Sequence, residues 1–213
     1  MYASALVRRL ARRRHHVLVV LRRRYLREAL AMLADVPGVR FKLVDSWQSL
    51  WQSSPESPSV LEALQRKGYQ LVPLPSFRDV CPYVTLGLKS SLAWSGLRVR
   101  RRDVDAERAL HERVQREVGG VFAVVHDDEE RRIRPELLPA ELPVVHVRDP
   151  RFRTGSVFDW ITTIDKAVHL HGIDSCFLYM ACALGLGARR HCHAYANQAG
   201  AVMTPYPGTV FIW

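Results

Sequence analysis

The run Val121 to Arg134, VFAVVHDDEERRIR, sets a dense group of titratable side chains directly behind a short apolar segment. Val121 to Val125 is followed at once by His126, Asp127 and Asp128, and two further acids and three arginines come within the next six residues. An apolar run of this length, preceded by Gly119 and Gly120, reads as a buried strand. The charged residues then fall in the loop at its carboxyl end, the edge at which open α/β sheets bind ligands. An imidazole can donate or accept a proton, and a carboxylate can act as a base or hold a divalent ion. The fork of an arginine fits a phosphate. The plainer alternative is a solvated charged loop.

A second group lies at Ile173, Asp174 and Ser175, between an apolar strand and a helix. The first-turn amides of a helix are unpaired and partly positive, which favours an anion such as phosphate, and the Ser175 hydroxyl can add a bond. The plainer alternative is that Asp174 or Ser175 is an ordinary helix cap. If both strands belong to one parallel sheet, their carboxyl ends share an edge and the two loops share a cleft. Arg131 would then pair with a diphosphate, His126 would donate a hydrogen bond to it, and Asp127 or Asp128 would accept from a sugar hydroxyl.

Other groups point less clearly to chemistry. Asp127 and Asp128 suit magnesium or manganese, and a metal-dependent sugar-transfer site there is an alternative, less favoured because no second acidic pair stands in a comparable place. His169 with His171, and His191 with His193, each place two imidazoles on one face of a strand. The expected role of these pairs is structural, because further zinc ligands cannot be assigned from spacing. The chain carries no Gly-x-Ser-x-Gly, Walker A or complete Gly-x-Gly-x-x-Gly motif. Cys81, Cys176, Cys182 and Cys192 have no paired spacing, as in a reduced cytoplasmic protein.

The elements that must position these residues follow from periodicity. Ala3, Leu6, Val7 and Leu10 mark an amphipathic helix, and residues 17–21 a buried strand. Leu26 to Leu33 form a second helix ending near Pro37-Gly38, and Val39 to Val44 a second strand. After a loop, Trp47 to Pro58, a helix at Val60 to Lys67 precedes a strand at Tyr69 to Val72. Pro73 to Arg102 reads as a linker. The second half starts with a helix, Asp103 to Val118, whose apolar stripe is Val104, Ala106, Leu110 and Val114. Strands follow at 121–125, 144–147, 168–173 and, last, 189–195. Helices are expected at 157–167 and from the Asp174-Ser175 cap to Leu184, and the apolar tail packs back. At 213 residues and 48% apolar content the chain is globular. Its formal charge of +10 is concentrated near the start: nine arginines lie between Arg8 and Arg27, ahead of the first acid, Glu28. No apolar stretch approaches the roughly 18 residues of a membrane helix. An Arg-rich, acid-free opening also suits a transit peptide, but its organised helix and strand pattern argues against one.

The order VHDDEER, then FDW-x6-AVHLHGIDSCF, then a His-rich strand, resembles a group of glycosyltransferase-like proteins of bacteria and large viruses. More distantly the layout is similar to heptosyltransferase-like enzymes of the GT-B fold. His126, Asp127, Asp128 and Arg131 match one motif of that group, and His171, Ile173, Asp174, Ser175 and Phe177 match the other. Arg132 and Cys176 stand where glycine and serine are usual. The resemblance implies two Rossmann-like lobes, the first lacking its usual first strand. Residues 1–102 would form the acceptor-side lobe and linker, and residues 103–213 the nucleotide-sugar lobe. It implies metal-independent transfer of a sugar from a nucleotide-sugar donor to a glycan or lipid-linked acceptor, with no cofactor. His126, Arg131, Asp174 and Ser175 would hold the donor diphosphate, with His171 secondary, and Asp127 or Asp128 would be the base. A cytoplasmic protein in peripheral contact with an anionic membrane is expected. The alternative from another class is a non-catalytic basic module docking on anionic lipid or nucleic acid. Aromatics hardly interleave with the arginines, which disfavours nucleic acid.

Overall fold

Parallel strands need a crossover between them, and the chain alternates helix and strand in the way that requires. The computed structural model describes residues 4–13, 16–46, 59–70, 97–193 and 208–212. The first helix, α1 (Ser4–Arg13), buries Leu6 and Val7 and turns Arg9, Arg12 and Arg13 outward. Strands β1 (Val17–Arg22) and β2 (Val39–Val44) pair in parallel from Val17–Val39 to Arg22–Val44. Helix α2 (Leu26–Leu33) crosses between them. Helix α3 (Val60–Arg66) starts with a reciprocal cap: the Glu62 amide donates to Ser59, and the Ser59 amide donates to Glu62.

Helix α4 (Val104–Val118) leads into a five-stranded sheet. Its strands are β3 (Ala123–His126), β4 (Val144–His146), β5 (His169–Gly172), β6 (Arg189–His193) and β7 (Thr209–Ile212). The spatial order is β4-β3-β5-β6-β7, and every pair is parallel. Helix α5 (Ile161–Lys166), entered through a 3-10 turn at Val157–Trp160, connects β4 to β5, and α6 (Cys176–Leu184) connects β5 to β6. From β3 the chain moves to one side of the sheet, and from β5 it moves to the other. The strand order therefore reverses between β3 and β5. The protein is a mixed α/β structure built on parallel sheets. Leu110, Val114, Phe122, Val124, Val145, Trp160, Leu170, Leu178 and Tyr179 form its core, and Val7, Met32 and Leu33 belong to the same contiguous cluster.

Several elements differ from expectation for local reasons. β3 starts at Ala123, because Gly119 and Gly120 both take positive φ and leave Val121 exposed. In α4 the exposed Val104 is not core; the first turn instead buries Glu107, held by Arg102 and by the Thr162 hydroxyl at 2.8 Å. Tyr69 and Gln70 are not in a strand, since the Tyr69 amide closes α3 on the Leu64 carbonyl. β6 is not the last strand: Thr209–Ile212 adds β7 in parallel to its outer edge. The expected loop 47–58, Leu71 and Val72, most of the linker and Cys81 lie outside the described residues. Among the described residues no helix is long and apolar enough to cross a membrane.

Asp103 is the start signal of α4. Its carboxylate accepts from the Ala106 amide at 3.0 Å and pairs with Arg27 at 3.2 Å. Asp103→Ala is expected to cost about 1 kcal/mol, measured as a lower midpoint in urea unfolding with an unchanged slope.

Candidate functional site

Three strand ends form the carboxyl edge of the larger sheet around its reversal point. β3 ends at His126, which lies opposite Gly172 of β5, and the Ile173 amide donates to the His126 carbonyl at 3.1 Å. Gly172 lets α6 approach closely: a Cβ there would meet the Leu178 side chain at 3.1 Å. That packing fixes the start of α6 beside the end of β3.

His126 is clamped by aromatic stacking. Its ring lies on Phe177 at 4.3 Å, and Phe177 stands edge-on to Trp160 at 6.2 Å. Burial lowers its pKa to about 4, against an opposing pull from the charges of Asp127 and Asp128. The ring is therefore neutral at neutral pH, and its Nδ1 is buried without a partner. Ser175 occupies the cap position of α6 in an extended conformation, but its side chain caps nothing. Its Oγ is buried and has no partner. Its carbonyl accepts from the Tyr179 amide. Expected helix cap and expected anion-binding residue thus coincide in position, while the hydroxyl stays uncommitted.

The acidic pair is engaged. Asp127 is buried; one of its oxygens accepts from the Ile133 amide at 3.2 Å, and the other lies 3.2 Å from Arg148 Nε. Asp128 accepts from the Arg131 amide at 2.7 Å and from Arg131 Nε at 3.0 Å, and the Arg131 guanidinium holds its carboxyl below the usual range. Both aspartates thus shape the loop and hold arginines, in place of the free carboxylates expected of a base or a magnesium site. Arg131, expected to face a diphosphate, pairs with Asp128 through Nε and one terminal nitrogen.

Arg148 is the residue that sequence reasoning missed. It follows β4, so it reaches the same edge, and its side chain is 40% exposed while Asp127 holds its Nε. The signal was available: an arginine just after a strand of the same parallel sheet. His171 goes elsewhere. It shares a register position with Val125, so it points to the sheet face opposite His126. There it is buried, 3.0 Å from His193. Asp174 lies between β5 and α6, next to Ser175. The structure therefore brings together His126, Asp127, Asp128, Arg131, Asp174 and Ser175 at one edge, adds Arg148 and leaves out His171.

No protein-family model, curated protein or solved structure matches this chain.

Proposed function

We propose that the protein is a glycosyltransferase that binds the diphosphate of a nucleotide sugar at the carboxyl edge between β3 and β5. The observation that carries this reading is the pair of buried, unpartnered polar atoms, His126 Nδ1 and Ser175 Oγ, flanking the start of α6 where the strand order reverses. That is where open parallel sheets admit ligands, and where helix amides favour an anion. A neutral His126 donates without adding charge. Arg148, oriented through Nε by Asp127, keeps its outer nitrogens for phosphate oxygens. Arg131 supports the loop from its pair with Asp128.

In the transfer, the bond between the sugar's anomeric carbon and the diphosphate breaks, and a bond to the acceptor oxygen forms. The departing diphosphate keeps the electron pair and is stabilised by these fixed donors. The acceptor proton goes to a base on the acceptor side, since both aspartates are bound to arginines. The proposal includes the two-lobed GT-B arrangement, divided near residue 102, a glycan or lipid-linked acceptor and a cytoplasmic setting. The outward Arg9, Arg12 and Arg13 of α1 suit peripheral contact with an anionic membrane.

UDP, GDP and ADP titrated against the protein test the reading. At least one is expected to raise the melting temperature, and Arg148→Ala or Ser175→Ala to weaken that binding about tenfold or more. If none of the three shifts the melting temperature, or both variants bind as tightly as wild type, the donor site is refuted.

A further inference from the structure

The histidines on the other face of the larger sheet form a second group that the donor reading does not use. β5 and β6 pair in parallel with His171 opposite His191, so His169, His171, His191 and His193 project from one face. His169 Nδ1 lies 3.0 Å from His191 Nε2, and His171 Nδ1 lies 3.0 Å from His193 Nε2. The rings of His171 and His191 stack at 4.4 Å and 8°. One ring nitrogen from each of His169, His171 and His191 lies within 4.8 Å of the other two.

We propose that His169, His171 and His191 bind a divalent transition metal ion, with zinc the best fit. Tetrahedral zinc with bonds of 2.0–2.1 Å sets its nitrogen ligands about 3.4 Å apart. Binding would open the His169–His191 contact and turn the His171 and His191 rings out of their parallel stack, so that both ring planes meet at the ion. Imidazole is a borderline-soft ligand suited to zinc, copper and nickel and poorly suited to magnesium or calcium. His193 hydrogen-bonds His171, the outer contact that orients a ligating imidazole.

Access agrees with this assignment. His171 is buried, but His169 and His191 are half-buried and line a cleft of about 420 Å³ with Gly187, Gly208 and Val210. The cleft opens at the amino ends of β6 and β7, the edge opposite the donor site. Three neutral ligands leave the ion's double charge intact and a fourth position open. Arg189, which shares the His169 register position and lines the same cleft, favours an anion or hydroxide there over a further cation. The ion would tie β5 to β6 in the middle of the sheet.

Chelator-stripped full-length protein titrated with Co2+ alone, then with Zn2+, tests this. Binding of one Co2+ per chain with the visible absorption of a tetrahedral ion, displaced by Zn2+, is expected. Saturating Zn2+ is expected to raise the melting temperature by about 5–10 °C. The half-buried His169→Ala and His191→Ala, each checked for native circular dichroism, are expected to lose the tetrahedral spectrum. His16→Ala, at an exposed histidine outside the group, is expected to retain it. Absence of tetrahedral Co2+ absorption in wild type overturns the proposal. So does its survival in both folded variants, or its loss in His16→Ala. Nucleotide binding reads out the other edge, so failure here leaves the donor site standing, and the reverse.

Discussion

Trp160→Ala is expected to lower the unfolding free energy by about 3–5 kcal/mol, the largest effect of any single truncation near the site. Trp160 is 1% exposed and belongs to the main apolar cluster. It sits where the 3-10 turn Val157–Trp160 runs into α5, so its removal opens a cavity under two elements at once. Its edge-on contact with Phe177 also places it directly behind the His126 stack. The cavity therefore has a second consequence. Phe177 gains room to relax, His126 loses its clamp, and nucleotide binding should weaken beyond what Ser175→Ala alone produces. Urea unfolding followed by circular dichroism measures the first effect, and nucleotide titration of the still-folded fraction measures the second. A loss below about 1 kcal/mol would mean that the ring is not packed as described.

Acidification is expected to destabilise the protein in a window set by histidine and not by carboxylates. The His126 pKa falls from its ordinary 6.5 to about 4 in the folded state because the ring is buried. As the pH drops below 6.5 the unfolded chain takes up a proton that the folded chain refuses. Stability is therefore lost from 6.5 down to about 4, and the loss levels off once the folded ring also protonates. A displacement of that size corresponds to about 3 kcal/mol. His171 and His193, lowered by burial to about 3 and about 4, act with the same sign. Asp35 and Asp128 are lowered by their arginine partners, so their stabilisation is lost only as the pH falls below 3.8. Unfolding free energies measured across the window should fall with pH, and His126→Phe, which keeps a ring on Phe177, should flatten part of that slope. A flat profile in the wild-type protein would show that these rings are accessible to water.

Much of this was legible in the chain itself. The apolar run before His126, the apolar stretch before Asp174 and the glycine after Leu184 each imposed an element by local rules. A short buried run favours a strand, and Gly185 takes the left-handed conformation that ends α6. Alternation placed His169 with His171, and His191 with His193, on single strand faces. Such rules operate over a few residues, so they survive without knowledge of what packs where.

Partner choice did not follow from the chain alone. Nothing local says that Asp127 takes Arg148, 21 residues farther along and just behind another strand. Strand order decided that Arg148 reaches the His126 edge. Side-chain alternation, combined with the β3–β5 register, decided that His171 faces away from it. Pairing of β5 with β6 turned two separate histidine pairs into one four-imidazole group. The physical reason is common to all of these. Local propensity acts through the backbone of neighbouring residues, whereas a site is made of side chains whose proximity depends on sheet order and register, and many sheet orders satisfy the same local pattern. The sequence by itself determined the parallel α/β elements and the residue types at their ends. Sheet order and register then selected which of those residues meet, and left His126 Nδ1 and Ser175 Oγ among the buried polar atoms without a hydrogen-bond partner.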